Sequence, residues 1–253
     1  TNPVSQILGG TELQPEESES YTLGAVYRSG DLFLTVDYYN IKVEDRISQS
    51  DKIDLTDAQK VALKADGVPN VDSIAQVSFF TNDFDTTTQG VDIVANYSMD
   101  LLGGYATFSM AYNWNETTVD RFSAITGDFK VKRLEEDLPQ HRATYTWSQQ
   151  WEDFSGFLRY NYFGEYQGVH VDYDATAIMA DPSFTIDAEV TYFATESLSF
   201  TAGANNLFDQ EPEKLNFEAA TGIPNNNWGG KYYETSPYGI NGGFYYVKAT
   251  YTF

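Results

Sequence analysis

Apolar residues fall on alternate positions in nine stretches of the chain, and the connections between those stretches are by turns short and long. Tyr21, Leu23, Ala25 and Tyr27 face one way, with Ser20, Thr22, Gly24 and Arg28 between them. After the turn Ser29-Gly30-Asp31, Leu32, Leu34, Val36 and Tyr38 alternate with Thr35 and Asp37. The parity slips near Tyr39-Asn40, where Ile41, Val43 and Ile47 take over, which predicts a bulge or the end of the strand's first environment. "GVDIVANYS" and "ATFSMAYNW" form a second pair across "DLLGG", and "RATYTWS" and "GFLRYNYF" a third across Glu152-Asp153. "SFTIDAEVTYF" and "LSFTAGAN" form the fourth pair, across "ATES", and "GGFYYVKATYTF" stands last. A period of two is the signature of a strand with one apolar and one polar face. The four long connections cover roughly 48–88, 120–137, 168–182 and 209–241. The stretch "DLTDAQKVALKADG" inside the first of them predicts a short helix, with Thr56 and Gln59 as a capping box and Gly67 as its stop.

Short turns at one end and long loops at the other are the plan of a transmembrane β-barrel. A β-sandwich would show turn signals about every 8–12 residues without this strict alternation. The polar face favours the barrel further. Asp37, Asp92, Arg159, Asp187 and Glu189 all sit on it, and in a small dry core such groups would be buried at a cost of several kcal/mol each. In a wide barrel they line a wet or plugged interior, while Leu34, Ile93, Phe108, Val190 and Val247 face lipid. Tyr21, Tyr27, Tyr97, Trp114, Trp147 and Tyr192 then fit interfacial aromatic girdles.

Composition agrees. Aromatics make up 16% of the 253 residues, yet no stretch approaches the about 18 consecutive apolar residues of a membrane helix. Zero cysteines exclude a disulfide framework and thiolate metal sites. Fifteen Lys+Arg against 37 Asp+Glu give a net charge of −22, which opposes binding to nucleic acid. An odd strand count sets the chain ends on opposite sides, whereas single-chain bacterial barrels have even numbers. The expected fold is therefore all-β: about nine C-terminal strands of a larger transmembrane antiparallel β-barrel, with its first residues in an outer loop.

Five segments carry a family resemblance. "ELQPEESESYTLGAVYRSGDLFLTVDYYNIKVEDRI", "TTTQGVDIVANYSMD", "LPQHRATY", "GANNLFDQEP" and the final "ATYTF" resemble, in this order, successive segments of TonB-dependent outer-membrane receptors. The resemblance implies a barrel of about 22 strands, of which residues 1–253 would be the C-terminal portion, with the N-terminal plug and the earlier strands outside this chain. It implies a non-enzymatic receptor in the outer membrane of a Gram-negative bacterium, with no cofactor. TonB-energised uptake of a scarce nutrient, a ferric siderophore or similar iron complex, is the implied function. A passive porin or an adhesin-type barrel is the alternative. The implied partners are outer-membrane lipid and lipopolysaccharide, the TonB complex through the plug, the barrel-assembly machinery and the nutrient ligand. Tyr251 and Phe253 correspond to the assembly signal.

Candidate sites are few. Trp228, Tyr232, Tyr233 and Tyr238 lie among Gly and Asn in the last long loop, a composition suited to adaptable ligand contact or to an aromatic rim. Asp83 with Asp85, and Asp172 with Asp174, have the Asp-x-Asp spacing of weak cation sites, although solvated loop charge explains them as well. His141 belongs to the strand start at "LPQHRATY" and reads as structural; His170 has no second histidine nearby to complete a transition-metal site. No residue is assigned to catalysis, and no full metal ligand set is expected.

Overall fold

The computed structural model describes residues 2–123, 127–170, 173–215, 218 and 231–253. In chain order the elements are α1 (Pro3–Gln6), β1 (Glu17–Ser29), β2 (Leu32–Gln49), β3 (Ile53–Asp54), α2 (Asp57–Ala65), β4 (Gln76–Val77), β5 (Phe80–Leu101) and β6 (Gly104–Arg121). They continue with α3 (Asp128–Glu136), β7 (His141–Gln150), β8 (Phe154–Phe163), β9 (Tyr166–His170), β10 (Tyr173–Ala180), β11 (Ser183–Phe193), β12 (Leu198–Asn205) and β13 (Phe244–Tyr251). Nine of the strands form one sheet in the order β1-β2-β5-β6-β7-β8-β11-β12-β13, the nine that the alternation predicts. β1 and β13 are the two edges of that sheet. The chain divides into two compact units: Thr1–Tyr21, Asn40–Gln89 and Thr117–Glu135 make the first, and the remainder makes the second.

The second unit carries the regular wall. Its registers align one face across strand after strand: Phe108 opposes Trp147, Trp147 opposes Leu158, Leu158 opposes Ala188, and Ala188 opposes Ala204. The adjacent row is Ser109, Thr146, Arg159 and Asp187. Cross-strand partners share a face, so the apolar and polar parities read from the sequence hold across β6, β7, β8, β11, β12 and β13. The apolar face is solvent-accessible in the isolated chain, with Leu158 at 44%, Phe200 at 48% and Val247 at 87% exposure. A large exposed apolar face of this kind is what lipid covers. The polar face satisfies itself by a ladder of side chains. Asn113 Nδ2 donates to Asp92 Oδ1 (2.7 Å), and Asn161 Nδ2 donates to Asp187 Oδ2 (3.0 Å). Arg159 Nε donates to Thr146 Oγ1 (3.2 Å), and Tyr246 Oη to Glu189 Oε2 (2.5 Å). The tight turns demand special backbone. Leu102 and Gly103 both have positive φ (53° and 73°), which is the conformation of a type I′ hairpin between β5 and β6.

The first unit has its own apolar centre, formed by Val4, Leu55, Leu63 and Val71 with Ile7, Leu8, Val68, Ile74 and Val77 around it. The predicted helix is α2, and its Thr56–Gln59 capping box is complete. Other parts of this region differ from the sequence reading. β5 has 22 residues and begins at Phe80, and β2 and β6 have 18 residues each, so residues expected in long loops continue as strand. A strand crosses a bilayer in about 9–11 residues. The excess at the start of β5 does not alternate: Thr81, Asp83, Phe84 and Thr86 are all buried, so "FTNDFDTTTQ" shows no period of two. The parity slip near Tyr39-Asn40 does not end β2. The left-handed residue falls later, at Asp45 (φ 53°), a conformation found at β-bulges. The helix α3 and the hairpins β3–β4 and β9–β10 lie within connections that carried no regular pattern.

The Asp45 backbone is held by a compact network within this unit. Arg121 grips Asp85 with Nε (2.6 Å) and Nη2 (2.8 Å), and Nη2 also reaches Asp45 Oδ1 (2.8 Å). The Asp45 N–H donates to Asp85 Oδ1 (2.9 Å), and Asn82 Nδ2 donates to the Asp45 carbonyl (2.6 Å). Arg121 therefore pulls the Asp85 carboxyl below its ordinary value, helped by the Asp45 N–H and opposed by partial burial.

Candidate functional site

At the loop end of the second unit, the hairpin β9–β10 folds over the last long connection. Ala180 pairs with Tyr166 and Ile178 with Gly168. Tyr166, Val169 and Ala180 are buried, and so is Tyr233, which lies beneath them. Gly168 lets the two approach closely: a Cβ on it would stand 3.1 Å from the Tyr233 ring, a tight contact. Thr235 Oγ1 donates to the Gln167 carbonyl (2.8 Å), tying the last loop to the hairpin. Burial pushes the Tyr166 and Tyr233 hydroxyls up, and the nearby charge of Glu213 pushes them the same way.

Beside this packed layer opens a cleft of about 670 Å³, lined by Tyr166, residues 180–183, residues 209–214 and Tyr238. Its volume lies in the range of small-molecule sites, roughly 300–1,000 Å³. The 209–214 wall is fixed by a clasp at the end of β12. The Asn206 N–H donates to Asp187 Oδ1 (2.9 Å), so the polar face of the sheet anchors the start of the loop. Asn206 then closes on Gln210 in both directions, Nδ2 to the Gln210 carbonyl (2.8 Å) and the Gln210 N–H to Oδ1 (2.9 Å). Asp209 Oδ1 accepts the Gly243 N–H (2.7 Å), which secures the start of β13. Gly242 has φ +69° and comes so close to Asp209 that a Cβ would collide with Oδ1 at 2.2 Å.

Charge in the cleft is unevenly distributed. Glu211 takes both nearby lysines, Lys231 at 2.9 Å and Lys214 at 3.2 Å. Its carboxyl is drawn down to about 2, first by the Tyr232 hydroxyl and then by the two ammonium groups. The Tyr238 hydroxyl donates to the Glu211 carbonyl (3.2 Å), and its ring lies 5.2 Å from that of Phe163. The Ser183 hydroxyl oxygen is shielded from solvent with no hydrogen-bond partner.

The candidate aromatics therefore separate. Tyr238 lines the cleft, Tyr232 stands behind it with Lys231 over its ring (4.7 Å), and Tyr233 is a packing residue beneath the hairpin. Trp228 lies outside the described residues, as do Asp172 and the side chains of Asp174 and His170. Asp85 is taken by Arg121, and Asp83 is buried with Oδ1 on the Ser123 N–H (2.9 Å). Among the described residues no group of three or more His, Asp or Glu could hold a metal ion. His141 Nδ1 is 2.8 Å from the Tyr112 hydroxyl. Tyr251 and Phe253 meet edge-on at 5.2 Å. The carboxylates of the cleft, Asp181, Asp209, Glu211 and Glu213, were not singled out from the sequence. The dense run "DQEPEK" after Asn206-Leu207-Phe208 was the signal that could have found most of them.

Residues 1–207 match the family described as TonB dependent receptor-like, beta-barrel. No curated protein matches. Among solved structures, the chain is similar to the ferric-catecholate import receptor Fiu from E. coli K12 (TM-score 0.59, 15% identity, 95% of this chain and 28% of that one). It is similar to the outer membrane transporter YddB from Escherichia coli (TM-score 0.62, 10% identity, 96% and 33%). A mutant of the ferric enterobactin receptor PfeA from Pseudomonas aeruginosa gives TM-score 0.62 at 17% identity, over 94% and 31% of the two chains. At such identities the likeness is one of fold. The chain spans about a third of the length of these receptors.

Proposed function

The chain belongs to the TonB-dependent receptor β-barrel family, transporters rather than enzymes that reside in the Gram-negative outer membrane, and on that premise we propose that it serves TonB-energised uptake of a scarce iron chelate. The family match over residues 1–207 carries this reading. The strand pattern supports it, with lipid-type side chains on one face and a hydrogen-bonded polar ladder on the other. In this reading β6, β7, β8, β11, β12 and β13 form wall, the long loops face the medium, and the cleft beside Tyr238 receives part of the ligand. The plug of the whole receptor would carry the contact with TonB, and ligand release would follow from different affinities in its two states.

Growth under iron limitation tests the proposal. A strain lacking the gene should lose growth on the cognate ferric chelate and regain it only when both the gene and an intact TonB system are supplied. Equal growth of the two strains on every iron source would remove the iron reading. Ohmic conductance of the purified receptor in planar bilayers would favour a passive pore instead.

A further inference from the structure

Resting on that uptake reading, we propose that the cleft selects neutral or cationic chelates and disfavours polyanionic ones. Its lining holds Asp181, Asp209, Glu211 and Glu213 against Lys214 alone. Counting Lys231 behind the wall, four carboxylates still face two ammonium groups. Both of those lysines are already paired, and with the same carboxylate, Glu211. A trianionic ligand entering here would meet excess negative charge within a Debye length of about 8 Å. It would recruit a lysine only by taking it from Glu211. Like-charge juxtaposition of this kind is a standard means of rejecting a wrong partner.

The rest of the lining suits a neutral ligand. Ser183 belongs to the wall, with its unpartnered hydroxyl oxygen closed off from solvent. The Tyr238 ring adds apolar contact surface beside it, while Tyr166 is buried in the wall. Among the described residues, no cationic side chain in this cleft is left over to pair with a bare anion.

The test uses the full receptor in detergent with two ferric probes, a neutral tris-hydroxamate and a trianionic tris-catecholate, by equilibrium binding at low and physiological salt. The hydroxamate should bind at least about tenfold more tightly, a difference of about 1.4 kcal/mol, and the gap should narrow as salt rises. Glu211→Gln, which leaves both lysines without their carboxylate, should strengthen catecholate binding several-fold and leave the hydroxamate within about twofold. Glu213→Gln, which removes a carboxylate that holds neither lysine, should move the ratio the same way. Heat-modifiable migration would verify folding of each variant. Equal or tighter catecholate binding by the wild type, with growth still dependent on the receptor, overturns the charge rule and leaves the uptake reading standing. An unchanged ratio in both variants also overturns it. If neither probe binds and growth is independent of the gene, the uptake reading falls and this proposal falls with it.

Discussion

Gly90 shows what a single position contributes. A Cβ there would come within 2.3 Å of the Tyr39 hydroxyl and 2.4 Å of the Trp114 carbonyl oxygen. Tyr39 can thus cross β5 and accept the Asn115 amide (2.7 Å). Gly203 repeats the device under the ring of Tyr246, its register partner. Gly90→Ala is expected to cost about 1–3 kcal/mol, as overpacking does, seen as a lower temperature for loss of the heat-modifiable form; an unchanged temperature would show that the site relaxes freely. Arg121 and Asp85 give a pH dependence. The folded carboxyl is depressed, so its contribution is complete above the ordinary aspartate value of about 3.9 and disappears as pH falls through the lower folded value. Hydrogen exchange over residues 80–89 and 117–121 should therefore accelerate in acid below roughly pH 4, and Arg121→Gln should abolish that step. Sequence could flag Tyr232, Tyr233 and Tyr238 together but not separate them. Tyr233 is the buried one because it packs against Gly168 and its hairpin, far away along the chain.

Among the elements, those with a local code were legible and those without one were not. α2 announces itself, since the Thr56 side chain accepts the Gln59 N–H while the Gln59 side chain accepts the Thr56 N–H (2.9 Å). Its only buried residue is Leu63, so the cap is a large share of what holds the helix in place. Thr56→Ala should cost about 1 kcal/mol, read as faster exchange of the first-turn amides while Leu63 stays packed; equal exchange would mean that the apolar cluster alone fixes α2. The strand overhangs lacked any comparable code. β5 runs as one strand from Phe80, but its side chains from Phe80 to Gln89 do not alternate in burial, and periodicity has nothing to read. The β9–β10 hairpin was hidden for a related reason: it is buried by the Tyr233 loop, a contact between distant segments. The Asn206–Asp209 clasp sits between these cases. Its residues stood out as a family segment, yet their task of fixing the cleft wall to Asp187 needs coordinates.

Across the whole molecule, the two faces of the wall set the rules for substitution, and adjacent positions should therefore behave oppositely. Leu158 is midway along β8, in the apolar row with Trp147 and Ala188. Ser148 is one register step away, in the polar row with Phe157, which opposes Glu189. Leu158→Arg would place a guanidinium against hydrocarbon, at a cost of about 2–4 kcal/mol near the bilayer midplane. Ser148→Arg would place the same group on the hydrogen-bonded polar face, near the carboxylate of Glu189. Propensity cannot explain a difference between them, because the introduced residue is identical and both sites are in strands. The expected result is a marked loss of membrane-inserted, heat-modifiable receptor for Leu158→Arg and near wild-type assembly for Ser148→Arg, with ligand affinity preserved in whatever Leu158→Arg protein does assemble. Equal tolerance of both would mean that the apolar face meets protein or water instead of lipid, and the lipid assignment of this face would have to be withdrawn. Reversed tolerance would exchange the two faces and put the Asn161–Asp187 ladder on the outside. The register keeps Phe108, Trp147, Leu158, Ala188 and Ala204 on one side across five strands, and the pair of variants decides what that shared side meets.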